Sequence, residues 1–336
     1  MNYDAFLLVS FGGPEGLDDV TPFLANVTRG RGVPPERLAE VAHHYRRFGG
    51  VSPINDQCRE LMGALRDRID LPIYWGNRNW RPYLVDALRD MRDAGVRRAL
   101  ALVTSPYGSY SSCRQYLDDI GAARAALGDR APEIDKIRHF HDHPSFIAIQ
   151  AEAVRTALGK LADPAGARLV FTAHSIPKSM ADTAGPVRDG GRYVSQLCET
   201  ARLVAAEAAL GLPYELVWQS RSGAPEVPWL EPDVNDHLEK LSDEGATGVV
   251  VSPIGFVSDH LEVLWDLDHE AAATAEKVGL DFARAATPGT DPRFIDMLVE
   301  LIAECREPNR PRRALGRIPT WDKCAPGCCP APPKRR

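Results

Sequence analysis

The sequence contains neither the G-x-G-x-x-G fingerprint of a dinucleotide site nor the G-x-x-x-x-G-K-[ST] loop that cradles phosphates, so its glycines give no support to a nucleotide ligand. It lacks any apolar run approaching the roughly 20 residues needed to span a bilayer. It also lacks an excess of either charge: 40 Lys and Arg face 46 Asp and Glu, for a net charge of -6, which gives no reason to expect a polyanionic partner such as nucleic acid. The opening segment MNYDAFLLVSFGG carries Asp4 and no basic flank before a short apolar run, the pattern of a first strand and not of an export signal. These absences point to the cytoplasm, where thiols stay reduced. The 7 cysteines are then buried side chains or metal ligands in preference to disulfide partners.

What is present is a globular composition, 44% apolar and 26% charged over 336 residues, with enough chain for two domains. Six β-rich runs, FLLVSF (6–11), LPIYWG (71–76), RALALVTS (98–105), RLVFTA (168–173), YELVWQ (214–219) and GVVVSP (248–253), alternate with amphipathic stretches such as LVDALRDMRDAG and VNDHLEKLSDEG. Gly95 and Gly245 close those two stretches where a helix C-cap is expected. This alternation is α/β with parallel sheets. The halves also echo one another in order: LLVSFGGP with VFTAHSIP, YWGNRNW with VWQSRSG, and ALVTSPYG with VVVSPIGF. The expectation is two duplicated Rossmann-like domains, residues 1–150 and 151–310, each a parallel sheet flanked by helices, followed by a Pro- and Cys-rich tail, residues 311–336. Ligands of such sheets bind beyond the carboxyl ends of the strands.

Two features fall at those strand ends. His174 follows RLVFTA directly, so its imidazole belongs at the mouth of the cleft, either as a functional group or as a side chain satisfied by a loop carbonyl. After the run GVVVSP, Glu262, Asp266 and Glu270 recur every four residues. On a helix they stack along the edge of the apolar stripe made by Leu261, Leu264, Trp265 and Ala272, where like charges repel by a few tenths of a kcal/mol per pair. A solvated acidic face is one reading. The other is a partly desolvated row with raised pKa values that handles a cation or protons in transit. The absence of a second His or Cys at zinc spacing in this part of the chain favours transit over a permanent structural metal.

The segments VFTAHSIP, WQSRSGAPEVPWLEPD and VVVSPIGFVSDHLEVLWDLDHE, with LLVSFGGPE, TRGRGVPPERL and GGVSPIN near the start, resemble the ferrochelatases, which insert ferrous iron into a porphyrin. The resemblance runs from about residue 5 to residue 300 and is most like the Gram-positive type that acts on coproporphyrin III. It implies that His174 and Glu262 are the catalytic pair, facing each other across the macrocycle, and that these two with Asp266 and Glu270 handle the metal. Arg29, Ser52 and Tyr116 match positions that hold propionates in relatives using coproporphyrin. Arg31 and Arg46 add donors suited to carboxylates at the same mouth. The sequence departs from its relatives at His44, where some carry arginine, and at Phe11, where a tyrosine is often found above the metal; axial ligation by that side chain is excluded here. Some relatives also hold a 2Fe-2S cluster on three cysteines near the C-terminus and one upstream. Cys324, Cys328 and Cys329 fit the first three, and Cys113 is the choice for the fourth, with Cys58, Cys198 and Cys305 as alternatives.

The implied partners are coproporphyrin III and ferrous iron, acting on a monomer. Protoporphyrin IX as substrate, a cobalt or nickel chelatase of a related tetrapyrrole, and a non-catalytic tetrapyrrole carrier are the alternatives.

Overall fold

The structure, a computed structural model, describes residues 2–30, 33–222, 226–307 and 309–332. Among them, eight strands form two sheets. In the first, β1 (Ala5–Ser10), β2 (Ile73–Asn77), β3 (Arg98–Val103) and β4 (Glu133–Lys136) lie in the order β2-β1-β3-β4. In the second, β5 (Ala167–His174), β6 (Tyr214–Gln219), β7 (Gly248–Ser252) and β8 (Asp281–Arg284) lie in the order β6-β5-β7-β8. Every pairing is parallel, so the two halves repeat one topology. Central strands such as β1 and β7 are buried along their whole length because helices cover both faces, which is why they read as unbroken apolar runs instead of alternating ones.

The repeat preserves order but not register. The matched tryptophans pair differently: Trp75 lies beside Leu8, whereas Trp218 lies beside Ala173, and the motif alignment that sets Phe11 against His174 would have set Leu8 against Phe171. A slip of two residues leaves every side chain on its original face, so the core pattern survives it.

One core runs through both halves, joining Phe6, Leu8 and Leu100 to Phe171, Leu169 and the helices Pro144–Leu158, Arg192–Ala208 and Pro292–Arg306. Residue 150 lies inside the first of these helices. Ion pairs from the last helix back to the first half, Arg306 with Asp70 and Arg68 with Asp296, add to that junction. A smaller cluster of Val20, Phe23, Leu24, Ala42, Tyr45, Trp80 and Leu261 joins the helices Leu17–Val27 and Pro35–Arg47 to the second half. The carboxyl ends of the two sheets thereby face each other, and the Tyr107 hydroxyl donates to the Ile254 carbonyl at 2.8 Å between the loops after β3 and β7.

Gly95 and Gly245 end their helices in the left-handed conformation, with φ of 79° and 84°. The next N–H in each case, Val96 or Ala246, donates back to the carbonyl of Met91 at 2.9 Å or Leu241 at 3.0 Å, the bond that satisfies an orphan carbonyl of the last turn. Gly245→Ala places a Cβ in that conformation and is expected to cost about 1 kcal/mol; urea unfolding of the purified variant checks this, and an unchanged midpoint would show that the cap carries no strain.

Candidate active site

β5 ends on His174, whose backbone is fixed on both sides. Its carbonyl accepts from the Tyr193 hydroxyl at 2.8 Å, and the next N–H, of Ser175, donates to the Gln219 carbonyl at 2.7 Å. The imidazole Nδ1 lies in hydrogen-bond contact with the Ser175 carbonyl. A carbonyl only accepts, so Nδ1 is the donor in this contact and Nε2 is the ring nitrogen left to the cleft. Nε2 lies 3.8 Å from an oxygen of Glu262, and both side chains are partly exposed, at 34% and 45%.

Glu262 sits on a short helical turn, Leu261–Val263, and the chain then widens into a π-helix over Leu264–Ala271 before resuming as Ala272–Val278. The regular α-helix expected from the four-residue spacing is therefore corrected: the acidic row stands on i→i+5 geometry, a feature that recurs at functional sites. A second π turn, Tyr110–Arg114, occupies the corresponding place after β3, so the duplication extends to this irregularity. Asp266 accepts hydrogen bonds from Ser220 and, at 3.2 Å, from Gln219 Nε2. Burial first, then the nearby charges of Glu262 and Glu270, outweigh those bonds and push its carboxyl up to about 7. Glu270 is exposed at the far end of the row. The row thus grades from a half-exposed carboxylate beside the imidazole, through a group poised to exchange protons near neutrality, to solvent.

Helix Pro35–Arg47 roofs this row. His44 stacks on Trp265 with ring centroids 3.8 Å apart and planes within 8°, Arg47 lies 5.7 Å over the same ring, and its Nη1 is 3.3 Å from His269 Nε2. Burial lowers the pKa of His44, with Glu270 opposing; a neutral imidazole suits a flat stack on indole. Tyr45 is buried beneath the roof, its pKa raised by burial and then by Glu262 and Asp266. His260, edge-on to Phe256 at 5.0 Å, is held neutral by burial against the pull of Glu262. Tyr45, His260, Gln219 and Ser220 were not singled out from the sequence. The strand-end rule could have found Gln219 and Ser220, the last residue of β6 and the one after it, as Asn77 and Arg78 are for β2.

The other expected residues are spread more widely. Arg29 is exposed, donating to Asn26 Oδ1 at 2.6 Å, and Arg46 is exposed on the roof helix with no ion pair among the described residues. Ser52 is buried, its N–H on the Pro14 carbonyl at 2.9 Å. Tyr116 is buried under the Arg78 guanidinium, 4.8 Å from its ring. Arg31 lies outside the described residues. Cys113, Cys324, Cys328 and Cys329 line one small cavity together with His139, Gln196 and Trp321. Within it the thiols of Cys328 and Cys329 are 3.7 Å apart, and Cys324 is in hydrogen-bond contact with both Cys113 and Cys328, which lowers its pKa. Cys58 and Cys305 instead pack in or against the main core, and Cys198 is exposed.

The resemblance implies a pair facing across the macrocycle, and groups touching opposite faces of a flat ring stand about 7 Å apart. In this structure His174 and Glu262 are 3.8 Å apart.

Two sheets of identical parallel topology, with an imidazole and a row of carboxyl groups beyond their strand ends, make a chelatase-like fold. The fold is shared by SirB from Bacillus subtilis with Fe3+, at a TM-score of 0.56 and 12% identity over 93% of this chain and 99% of that one. It is shared too by the sirohydrochlorin chelatase SirB from Bacillus subtilis subspecies spizizenii in complex with cobalt, at 0.54 and 8% over the same shares. The sequence matches the ferrochelatase family over residues 3–305, and the chain belongs to that family. Similar relatives include the coproporphyrin III ferrochelatases of Streptomyces griseus, 54% identical over 98% of this chain and 94% of that one, and of Nocardia farcinica, 53% identical over 100% and 98%.

Because Asp266 keeps its proton up to about pH 7 in the folded chain, against an ordinary value of 3.8, the folded state binds more protons than the unfolded state between those values. Stability should therefore fall as pH rises through that window. Asp266→Asn removes the titrating group and should flatten the slope in melting temperature between about pH 4 and 7; an unaltered slope would show that the carboxyl is charged in the fold.

Proposed function

We propose that the chain inserts Fe(II) into coproporphyrin III to give iron coproporphyrin. Supporting this reading are the coproporphyrin III ferrochelatases that match almost the whole chain at 53–54% identity. The observation that carries the chemistry is His174 Nε2 standing 3.8 Å from Glu262. Insertion requires two pyrrole N–H protons to leave as the metal exchanges its water for four nitrogens, with no change in oxidation state. In this reading His174 Nε2 takes one proton, Glu262 takes the other, and Asp266 and Glu270 conduct ions between the cleft and solvent. In the same reading Arg29, Arg31 and Arg46 receive propionates at the mouth; Ser52 and Tyr116 are buried and join them only where binding uncovers their hydroxyls. One chain supplies both sides of the cleft, which suits a monomer, and its seven unpaired thiols suit the cytoplasm. His174→Ala should lose roughly 100-fold or more of the anaerobic insertion rate, as removal of a general base does, with porphyrin binding retained; Glu262→Gln should be similarly severe. Comparing kcat/KM for coproporphyrin III and protoporphyrin IX in the same assay tests the substrate: a preference for protoporphyrin would replace the assignment, and binding without turnover would make the protein a carrier.

We further infer that Cys113, Cys324, Cys328 and Cys329 hold a 2Fe-2S cluster. Four thiolates are the usual complement. The 3.7 Å between the Cys328 and Cys329 sulfurs matches the edge of a tetrahedron with metal–thiolate bonds of about 2.3 Å. The Gly185 N–H donates to Cys329 Sγ at 3.1 Å, and Lys136 and Arg114 supply nearby positive charge, which favours thiolate at Cys324 and Cys329; their hydrogen bonds to those sulfurs, and then burial, push the Cys113 and Cys328 thiols up. Bound, the cluster supplies metal–thiolate bonds that cross-link the tail to the first half. The chain purified without oxygen should hold about two irons and two sulfides, and Cys113→Ser should lose them together with thermal stability; full retention would move the fourth ligand elsewhere.

A further inference from the structure

We propose that Glu199 is the positioning residue of the thiol cavity, gripping the tail backbone so that Cys324, Cys328 and Cys329 arrive at Cys113; this rests on reading the four thiols as one ligand set. After helix Pro292–Arg306 the tail lies along the crossover between the halves, residues 138–143. Arg138 Nη2 donates to the Arg313 carbonyl at 2.9 Å, and the Leu315 N–H donates to the Asp142 carbonyl at 2.9 Å. The Arg317 and Ile318 N–H groups then both fall on the Glu199 carboxylate, at 2.6 and 3.3 Å, with His141 Nε2 3.3 Å from one of its oxygens. Burial pushes this carboxyl up, but the bonds from His141, Arg317 and Ile318 hold it down to about 2, so it stays ionised and its bonds are charge-assisted.

The approach is close enough to dictate the residue between. A Cβ on Gly316 would sit 2.2 Å from Glu199 Oε2 and 2.9 Å from Asp142 Cβ, so a side chain there would lift the tail off the carboxylate. Gln196, one turn earlier on the same helix, lines the thiol cavity and accepts the Gly108 N–H at 2.8 Å. One helix face therefore carries both the cavity wall and the grip, and it sets the register of the tail against the cavity. Beyond Ile318, Trp321 lies under the Arg192 guanidinium at 5.8 Å, and the cysteines follow. His141, Asp142 and Glu199 also place ligand atoms within 4.8 Å of one another. Both Glu199 oxygens are already taken by N–H donors, however, and Arg138 stands 4.0 Å from Asp142, an arrangement that favours a clamp over a cation site.

The test uses the full chain with E199Q and G316A, each checked for folding by circular dichroism. In protein stripped with chelator, amide exchange at Arg317 and Ile318 should quicken at least tenfold and alkylation of the tail cysteines severalfold, with iron and sulfide lost faster from loaded protein. Exchange and alkylation at wild-type rates in both variants would overturn the proposal. G316A, whose change lies in the tail, keeps the test open if E199Q does not fold. Should the wild type hold no sulfide, the cluster reading fails, while exchange and alkylation still decide the clamp.

Discussion

The contact between His174 Nδ1 and the Ser175 carbonyl is the constraint on which the site depends. It makes Nδ1 the donor toward the backbone and leaves Nε2 as the nitrogen nearest Glu262. The contact exists because β5 runs to His174 and then turns, with Tyr193 holding the His174 carbonyl and Gln219 holding the Ser175 N–H. Those partners come from a helix and a neighbouring strand that pack on β5, so the orientation of the imidazole is a property of the sheet and not of a loose loop. Glu262 approaches from the loop after β7, the neighbour of β5 on its other side. The imidazole and carboxylate therefore meet from adjacent strands, which is why they lie side by side on one wall of the cleft.

The opposite wall comes from the first half. Helices Leu17–Val27 and Pro35–Arg47 close over the acidic row through Tyr45, Leu261 and the stacked His44–Trp265 pair. This cover desolvates Asp266 and so creates the pressure that raises its pKa. The row runs from the partly covered Asp266, whose carboxyl is pushed up to about 7, to the exposed Glu270, so in the proposed reading it has a direction toward solvent. The crossover and the tail are joined by the carboxylate of Glu199 and by the thiol cavity, and Arg192, which lines that cavity, is next in sequence to Tyr193, which holds the His174 carbonyl.

Much of this was legible in the sequence because parallel strands buried on both faces must be apolar throughout. β1, β3, β5 and β7 are such runs, whereas β4 and β8, EIDK and DFAR, were missed: each is a short sheet edge carrying charge, as edges that avoid pairing do. His174 and Glu262 were chosen from a strand end, the internal repeat and a recognised motif, and the structure sets them 3.8 Å apart; linear order does not tell whether two such residues share a wall or face one another. The four-residue acidic spacing was read as an α-helix because spacing alone does not distinguish it from a π-helix. Tyr45 left no signal, being one apolar position among several on an amphipathic helix. The cavity of four cysteines was anticipated from the resemblance, and the choice of Cys113 rested on its loop following β3. The clamp at Glu199 had no sequence signature, because a carboxylate that grips backbone N–H groups imposes little on the residues it holds beyond Gly316.

The central claim is that His174 and Glu262 work on one face of the porphyrin. The most direct test is a crystal structure of the chain with metal-free coproporphyrin III bound. The account predicts the macrocycle lying flat against a wall formed by both side chains, with His174 Nε2 and a Glu262 oxygen on the same side of the mean pyrrole plane and Phe11 making no bond to its centre. A macrocycle lodged between His174 and Glu262, with the pair driven apart to about 7 Å or more, would contradict it.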